Sequence, residues 1–139
     1  VTRQTRTRID QNRGRPIDAR TFEQSSDPLK FAIRHRNISS ASGVLTLDLA
    51  QANSFTCTLT ENITSIDVNG PMRTDQFWFF YLELIQEATA RTVTWPAAFL
   101  FPGGTDHVMS TGNADIDSIF GYSLDGGSNW RCRFETNYA

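Results

Sequence analysis

Two cysteines, Cys57 and Cys132, are too few for a disulfide framework. Both fall in strand-like stretches on the apolar side, the pattern of a pair of buried thiols. A bridge between them requires that their two strands be neighbours. Histidine is as scarce: His35 sits between two arginines and His107 follows a Gly-Gly loop. No GxSxG, HxxxH or CxxC spacing accompanies them, so the sequence presents no nucleophile elbow and no zinc ligand set. We therefore expect no catalytic residues, no metal and no cofactor. An apolar run of about 18 residues, the length a membrane-spanning helix needs, is also missing. The opening residues "VTRQTRTRIDQNRGR" hold no apolar stretch and do not read as a secretory signal. Nowhere does a helical period persist for about ten residues.

Charge is present, but unevenly. Residues 1–36 carry nine Lys/Arg against four Asp/Glu, a net of +5, whereas residues 37–139 carry four against eleven, a net of −7. The first 28 residues hold only five apolar side chains, Val1, Ile9, Ile17, Ala19 and Phe22, without helical or strand periodicity. Such a segment cannot bury enough surface to offset its ordering entropy alone. We read residues 1–36 as an extended basic arm and residues 37–139 as a β domain.

The rest of the chain reads as strands. "LKFAIRHR" alternates; "GVLTLDL" places Val44 opposite Leu45, Leu47 and Leu49; "SFTCTLT" puts Phe55, Cys57 and Leu59 on one face and three threonines on the other. "NITSIDV" follows a short Glu-Asn turn and ends before Gly70-Pro71. "DQFWFFYLELIQ" is apolar on both faces, the signature of a strand covered on both sides. Trp78, Phe80 and Leu82 are expected to face the core, and Phe77, Phe79 and Tyr81 another subunit or a covering segment. "QEATA" reads as the hairpin to a strand "ARTVTW", and "DGGSN" as the five-residue loop between "IDSIFGYSL" and "WRCRF". Phe120, Tyr122 and Leu124 should share a face, as should Trp130, Cys132 and Phe134, leaving Arg131 and Arg133 opposite. About nine short strands with turn signals between them predict an all-β fold, an antiparallel, jelly-roll-like β-sandwich.

Residues 94–106, "TWPAAFLFPGGTD", are too broken by Pro96 and Pro102 for a helix and too apolar for a solvated loop. Trp95 should end a strand with its ring on the core, Phe99 and Phe101 should tuck the loop over one end of the sandwich, and Gly103-Gly104 should permit positive φ. The stretch then plugs an open sheet end or touches another subunit. Asn113, Asp115 and Asp117 share a strand face at a spacing that could hold Ca²⁺, but a solvated face beside a turn explains them better. The sequons at Asn37 and Asn62 carry no weight without a secretory signal.

The segments "RTVTWPAAFLFPGGT" and "MSTGNADIDSIFGYSLDGGSNWRCRF", with "SFTCTLTENITSIDV" before them, resemble a recurring C-terminal module of tailed-bacteriophage virion appendages, such as tail and head fibres. The resemblance spans about residues 45–135; the ending "NWRCRF" departs from that module's Asn-Trp-Tyr-Gly, and the arm has no counterpart in it. It implies a non-enzymatic structural protein of the virion, assembled in the host cytoplasm with other virion proteins. A homo-oligomer follows, a trimer in first place. The expected assembly contacts are Arg3, Arg6, Arg8, Arg13, Arg15, Ile9, Ile17 and Phe22 of the arm, with Phe77, Phe79 and Tyr81 of the β domain. Asp10, Asp18, Glu23 and Asp27 among the arm's bases argue for docking on acidic protein rather than on nucleic acid. The alternatives are a fibre-tip module that binds host-surface glycan and, less well matched to so short a chain, a depolymerising enzyme.

Overall fold

The computed structural model describes residues 33–138. They form eight strands: β1 His35–Ile38, β2 Val44–Asp48, β3 Ser54–Thr58, β4 Ser65–Asn69, β5 Trp78–Ile85, β6 Phe99–Leu100, β7 Ile116–Ser123 and β8 Trp130–Tyr138. A 3-10 turn at Pro102–Gly104 is the only helical element among the described residues. The described residues are thus nearly all β, in two sheets packed together. Alternation decides which side chains go inside. Leu45 and Leu47 of β2, Phe55 and Cys57 of β3, and Phe80, Leu82 and Leu84 of β5 are buried, while their odd-numbered or even-numbered neighbours turn outward.

The pairing differs from the antiparallel expectation. The larger sheet has the order β1-β3-β5-β7-β8-β6, and the smaller one pairs β2 with β4. β1–β3, β3–β5, β2–β4 and β6–β8 are parallel; only β5–β7 and β7–β8 are antiparallel. From β1 to β5 the chain lies alternately in the large and the small sheet, so that it winds as a coil. Each turn places a strand beside the one before it: Arg36 beside Phe55 beside Leu82, and Leu45 beside Ile66. A parallel pair needs a crossover connection. Here the crossover is a strand of the opposite sheet, which explains how parallel strands arise without helices. The expected hairpin strand 90–95 is not one. "ARTVTW" instead continues the coil beside Ile63, whose N–H reaches the Thr92 carbonyl at 2.9 Å and whose carbonyl accepts the Thr94 N–H at 2.8 Å.

The core lies between the inner faces. The Phe80 ring is at its centre, 5.2 Å from the Trp130 ring and 5.4 Å from that of Phe99. It lies over Gly121 of the neighbouring β7, where a Cβ would come within 2.5 Å of the ring. The 94–106 stretch contributes to this core: Trp95, Phe99 and Phe101 are buried, Trp95 edge-on to Phe101 at 5.5 Å. Gly103 and Gly104 both take φ +72°, which lets the chain turn back at the surface while Phe101 stays anchored. Cys57 and Cys132 are free, buried thiols in β3 and β8, strands that are not neighbours. Burial pushes the Cys132 thiol up to about 12 and raises that of Cys57, so neither ionises near neutral pH.

Candidate functional site

Side chains on the outer face of the large sheet follow from the same alternation. In β5 the inward set Trp78, Phe80, Leu82, Leu84 leaves Phe79, Tyr81 and Glu83 outside, with Phe77 just before the strand. In β7 the outward residues are Phe120 and Tyr122; in β8 they are Arg131, Arg133 and Glu135. Register then assembles them: Phe79 lies beside Tyr122 beside Arg131, and Tyr81 beside Phe120 beside Arg133. The next row is Glu83, Ser118 and Glu135. The result is a field of aromatic rings bordered by guanidinium groups on one side. On the other side it passes into a polar row in which His35 bonds Ser54 at 2.8 Å and Thr56 at 3.3 Å.

The rings lean on one another. Phe77 stacks on Tyr122 at 5.5 Å with planes 17° apart, and Phe79 on Phe120 at 6.1 Å with planes 28° apart. Phe77 is 58% exposed and Tyr81 37%, while Phe79, Phe120 and Tyr122 are half-buried. A contiguous exposed apolar patch makes this face the candidate site. Beside it opens a hollow of about 310 Å³ lined by Tyr81, Ser118, Phe120, Arg133, Phe134 and Glu135. The loop between β7 and β8 is held by Asp125, which accepts the Asn129 N–H at 3.0 Å, the Asn129 amide at 3.1 Å and the Ser123 hydroxyl at 2.8 Å. The bonds from Asn129, then that from Ser123, lower the Asp125 carboxyl to about 2.

A second polar cluster lies under the face rather than on it. His107 Nε2 is 2.8 Å from Asp117 Oδ2, with both side chains sealed from solvent. Asp117 also accepts the backbone N–H groups of Ser110 at 2.8 Å and Asn137 at 3.1 Å. The indole N–H of Trp95 donates to the His107 carbonyl at 2.7 Å, and the Phe134 ring packs 4.0 Å from the imidazole. Burial alone would raise the Asp117 carboxyl; the bonds from Ser110, Asn137 and His107 outweigh it and hold it below the usual range. Gln86 does similar work nearby, donating to the carbonyls of Arg91 and Ser110, each at 2.8 Å. These bonds tie the proline- and glycine-rich loop to β7 and the end of β8. Every polar atom of the Asp117 carboxylate is spent on holding structure.

Of the expected contact residues, the structure places Phe77, Phe79 and Tyr81 together on the outer face. The strand expected to be covered on both sides carries exposed Phe77 and Tyr81 on that face. Arg3, Arg6, Arg8, Arg13, Arg15, Ile9, Ile17 and Phe22 lie outside the described residues, as do the arm's contacts. Sequence reasoning missed Phe120, Tyr122, Arg131 and Arg133 as members of the same surface. Their alternation was visible; that β7 lies between β5 and β8 was not. The solvated-face reading of Asp117 is corrected: Asp115 turns back to the Gly112 N–H at 2.7 Å, while Asp117 is buried against His107. A period of two assigns a side chain to a face, but an irregularity in the β7–β8 register between Ile116 and Ser118 changes what that face meets.

No helix among the described residues is long and apolar enough to cross a membrane. No family model, curated protein or solved structure matches this chain.

Proposed function

We propose that this chain is a structural protein of a bacteriophage virion, a β module of a tail, neck or head appendage, and not an enzyme. The single observation that carries the assembly part is the aromatic field of Phe77, Phe79, Tyr81, Phe120 and Tyr122, which the core does not need and water does not favour. The virion assignment rests on the sequence resemblance over about residues 45–135. In this reading the two packed sheets form a sandwich-type module, built to present its outer face. The chain functions as a homo-oligomer among other virion proteins, and the basic arm adds a second attachment by docking on acidic protein surface. Eleven acidic residues lie in residues 37–139, enough to offer such a surface on a sister chain. Charge-assisted Arg–carboxylate bonds suit that role.

Two measurements test it. Mass spectrometry of purified particles should find the chain in fixed copy number. Replacing Arg3, Arg6, Arg8, Arg13 and Arg15 together by Ala in the full chain should abolish its incorporation. Normal incorporation of that variant refutes the arm's role. Salt-sensitive, tight binding of the unaltered chain to random duplex DNA would reassign the arginines to phosphate.

A second reading, a fibre-tip module for host glycan, draws on the hollow where Tyr81 and Phe120 stand beside Arg133 and Glu135. A glycan array probed with the full chain separates the two.

A further inference from the structure

We propose that the hollow beside the aromatic field is a binding subsite for one neutral hexopyranose unit of a glycan, held at two adjacent hydroxyls. This rests on the second reading above and names the class of sugar; the arm's role in assembly is independent of it. The hollow owes its shape to one short side chain. Two successive rows cross the outer face here, Tyr81, Phe120 and Arg133 in one and Glu83, Ser118 and Glu135 in the next. Ser118 is the shortest side chain of the six, so the surface dips where it stands, and Ser118 itself is only 4% exposed. The dip measures about 310 Å³. That is the small end of the range of roughly 300–1,000 Å³ for ligand pockets, which suits a single sugar ring.

The apolar walls are set before any ligand arrives. Phe120 packs 6.1 Å from Phe79 and 6.2 Å from Tyr122. Phe134 packs edge-on to Phe101 at 5.9 Å and lies 4.0 Å from the His107 imidazole, which Asp117 holds in turn. Tyr81 and Phe134 nevertheless stay 37% and 38% exposed, so ring surface remains for a ligand. Walls already fixed by packing lose little freedom on binding.

The rim supplies the polar half. A guanidinium only donates hydrogen bonds, an ionised carboxylate only accepts them, and a hydroxyl does both. Arg133 and Glu135 stand two residues apart on β8, about 7 Å along the strand. They are not paired with each other: among the described residues the ion pairs are Arg73–Asp75 and His107–Asp117. Glu135 accepts the Tyr138 hydroxyl at Oε1, which steadies the carboxylate and leaves Oε2 for a ligand. Adjacent hydroxyls of a pyranose meet this set. One oxygen accepts from Arg133, the next hydroxyl donates to Glu135, and the C–H face of the ring lies on the aromatic wall. Charge selects against acidic sugars. Glu83 and Glu135 flank Ser118 on its two sides, so a sugar carboxylate would meet two carboxylates for one guanidinium.

The test is an array of neutral hexoses, uronic acids and sialic acids probed with the full chain, followed by titration with methyl glycosides of the sugars that bind. Neutral hexoses should bind and acidic sugars should not. Arg133→Gln and Glu135→Gln should each weaken binding at least tenfold with an unchanged circular dichroism spectrum, and Phe77→Ser, outside the hollow, should leave it within twofold. Binding should also change less than twofold between about 50 and about 500 mM salt, because the ligand carries no charge to screen. Acidic sugars bound in place of neutral ones, an affinity that falls with salt, or unchanged affinity in both Gln variants overturns the proposal while the glycan reading stands. An array on which no sugar binds overturns both. Should a Gln variant fail to fold, the sugar preference and the salt series of the unaltered chain decide instead.

Discussion

The two sheets are alike inside and unlike outside. Leu45, Leu47 and Ile66 of the small sheet are as well buried as Phe80, Leu82 and Ile119 of the large one. Outside, the small sheet shows Thr46, Asp48, Ser65, Asp67 and Asn69, whereas the large sheet shows aromatic rings and arginines. Both sheets solve the same folding problem with their inner faces. The small sheet shows that a polar exterior is sufficient for stability in this architecture. The aromatic exterior of the large sheet is therefore not needed for the fold, which is what the proposed assembly role draws on.

That comparison can be broken most directly from the inside. Phe80→Ala should destabilise the protein by about 3–5 kcal/mol, since it removes a ring in contact with Trp130 and Phe99 and leaves a cavity over Gly121. Urea unfolding measures it; a loss below about 1 kcal/mol would mean that the inner face is not the source of stability.

A smaller effect is expected at the lock beneath the face. Asp117→Asn should cost about 1–3 kcal/mol near neutral pH, because the amide turns a donor toward groups that already donate. The Asp117 carboxyl is lowered in the folded protein, so its contribution is fully present above the unfolded value of about 4 and is lost as pH falls through the folded value. The melting temperatures of the two proteins should therefore converge in acid. A difference that stays constant down to the acid limit would show that the carboxylate's charge is not what the site uses.

The smallest stability effects belong to the outer faces and sharpen the contrast between them. Thr46→Ala on the small sheet and Phe77→Ser on the large one should each change unfolding free energy by no more than about 0.5 kcal/mol. Only Phe77→Ser should weaken self-association, measured by light scattering across a concentration series. Equal association of both variants would remove the distinction between the two faces.

Much of the local structure was legible. The strands β2, β3, β7 and β8 lie where alternation places them, β5 lies where the unbroken apolar run does, and Phe55, Cys57 and Leu59 are inside as read. Trp95, Phe99 and Phe101 are buried, as the apolar 94–106 stretch implied. Pairing was not legible. "QEATA" resembles a hairpin turn, yet the segment after it continues past β5 and joins Ile63 of the small-sheet side. The candidate surface was legible only on β5, because Phe120, Tyr122, Arg131 and Arg133 join Phe77, Phe79 and Tyr81 through long-range register.

By itself, then, the sequence determined which stretches of the described residues are extended, which side of each is apolar, and that these residues are nearly all β. Those properties are local: a period of two sorts side chains wherever the strand comes to lie. Only the tertiary structure decided that β1 to β5 wind as a coil, that among the described residues four of the six strand pairs are parallel, and that Asp117 meets His107 in the interior. Strand direction and neighbour depend on the path of the crossovers, and that path is set by the joint burial of residues far apart in the chain.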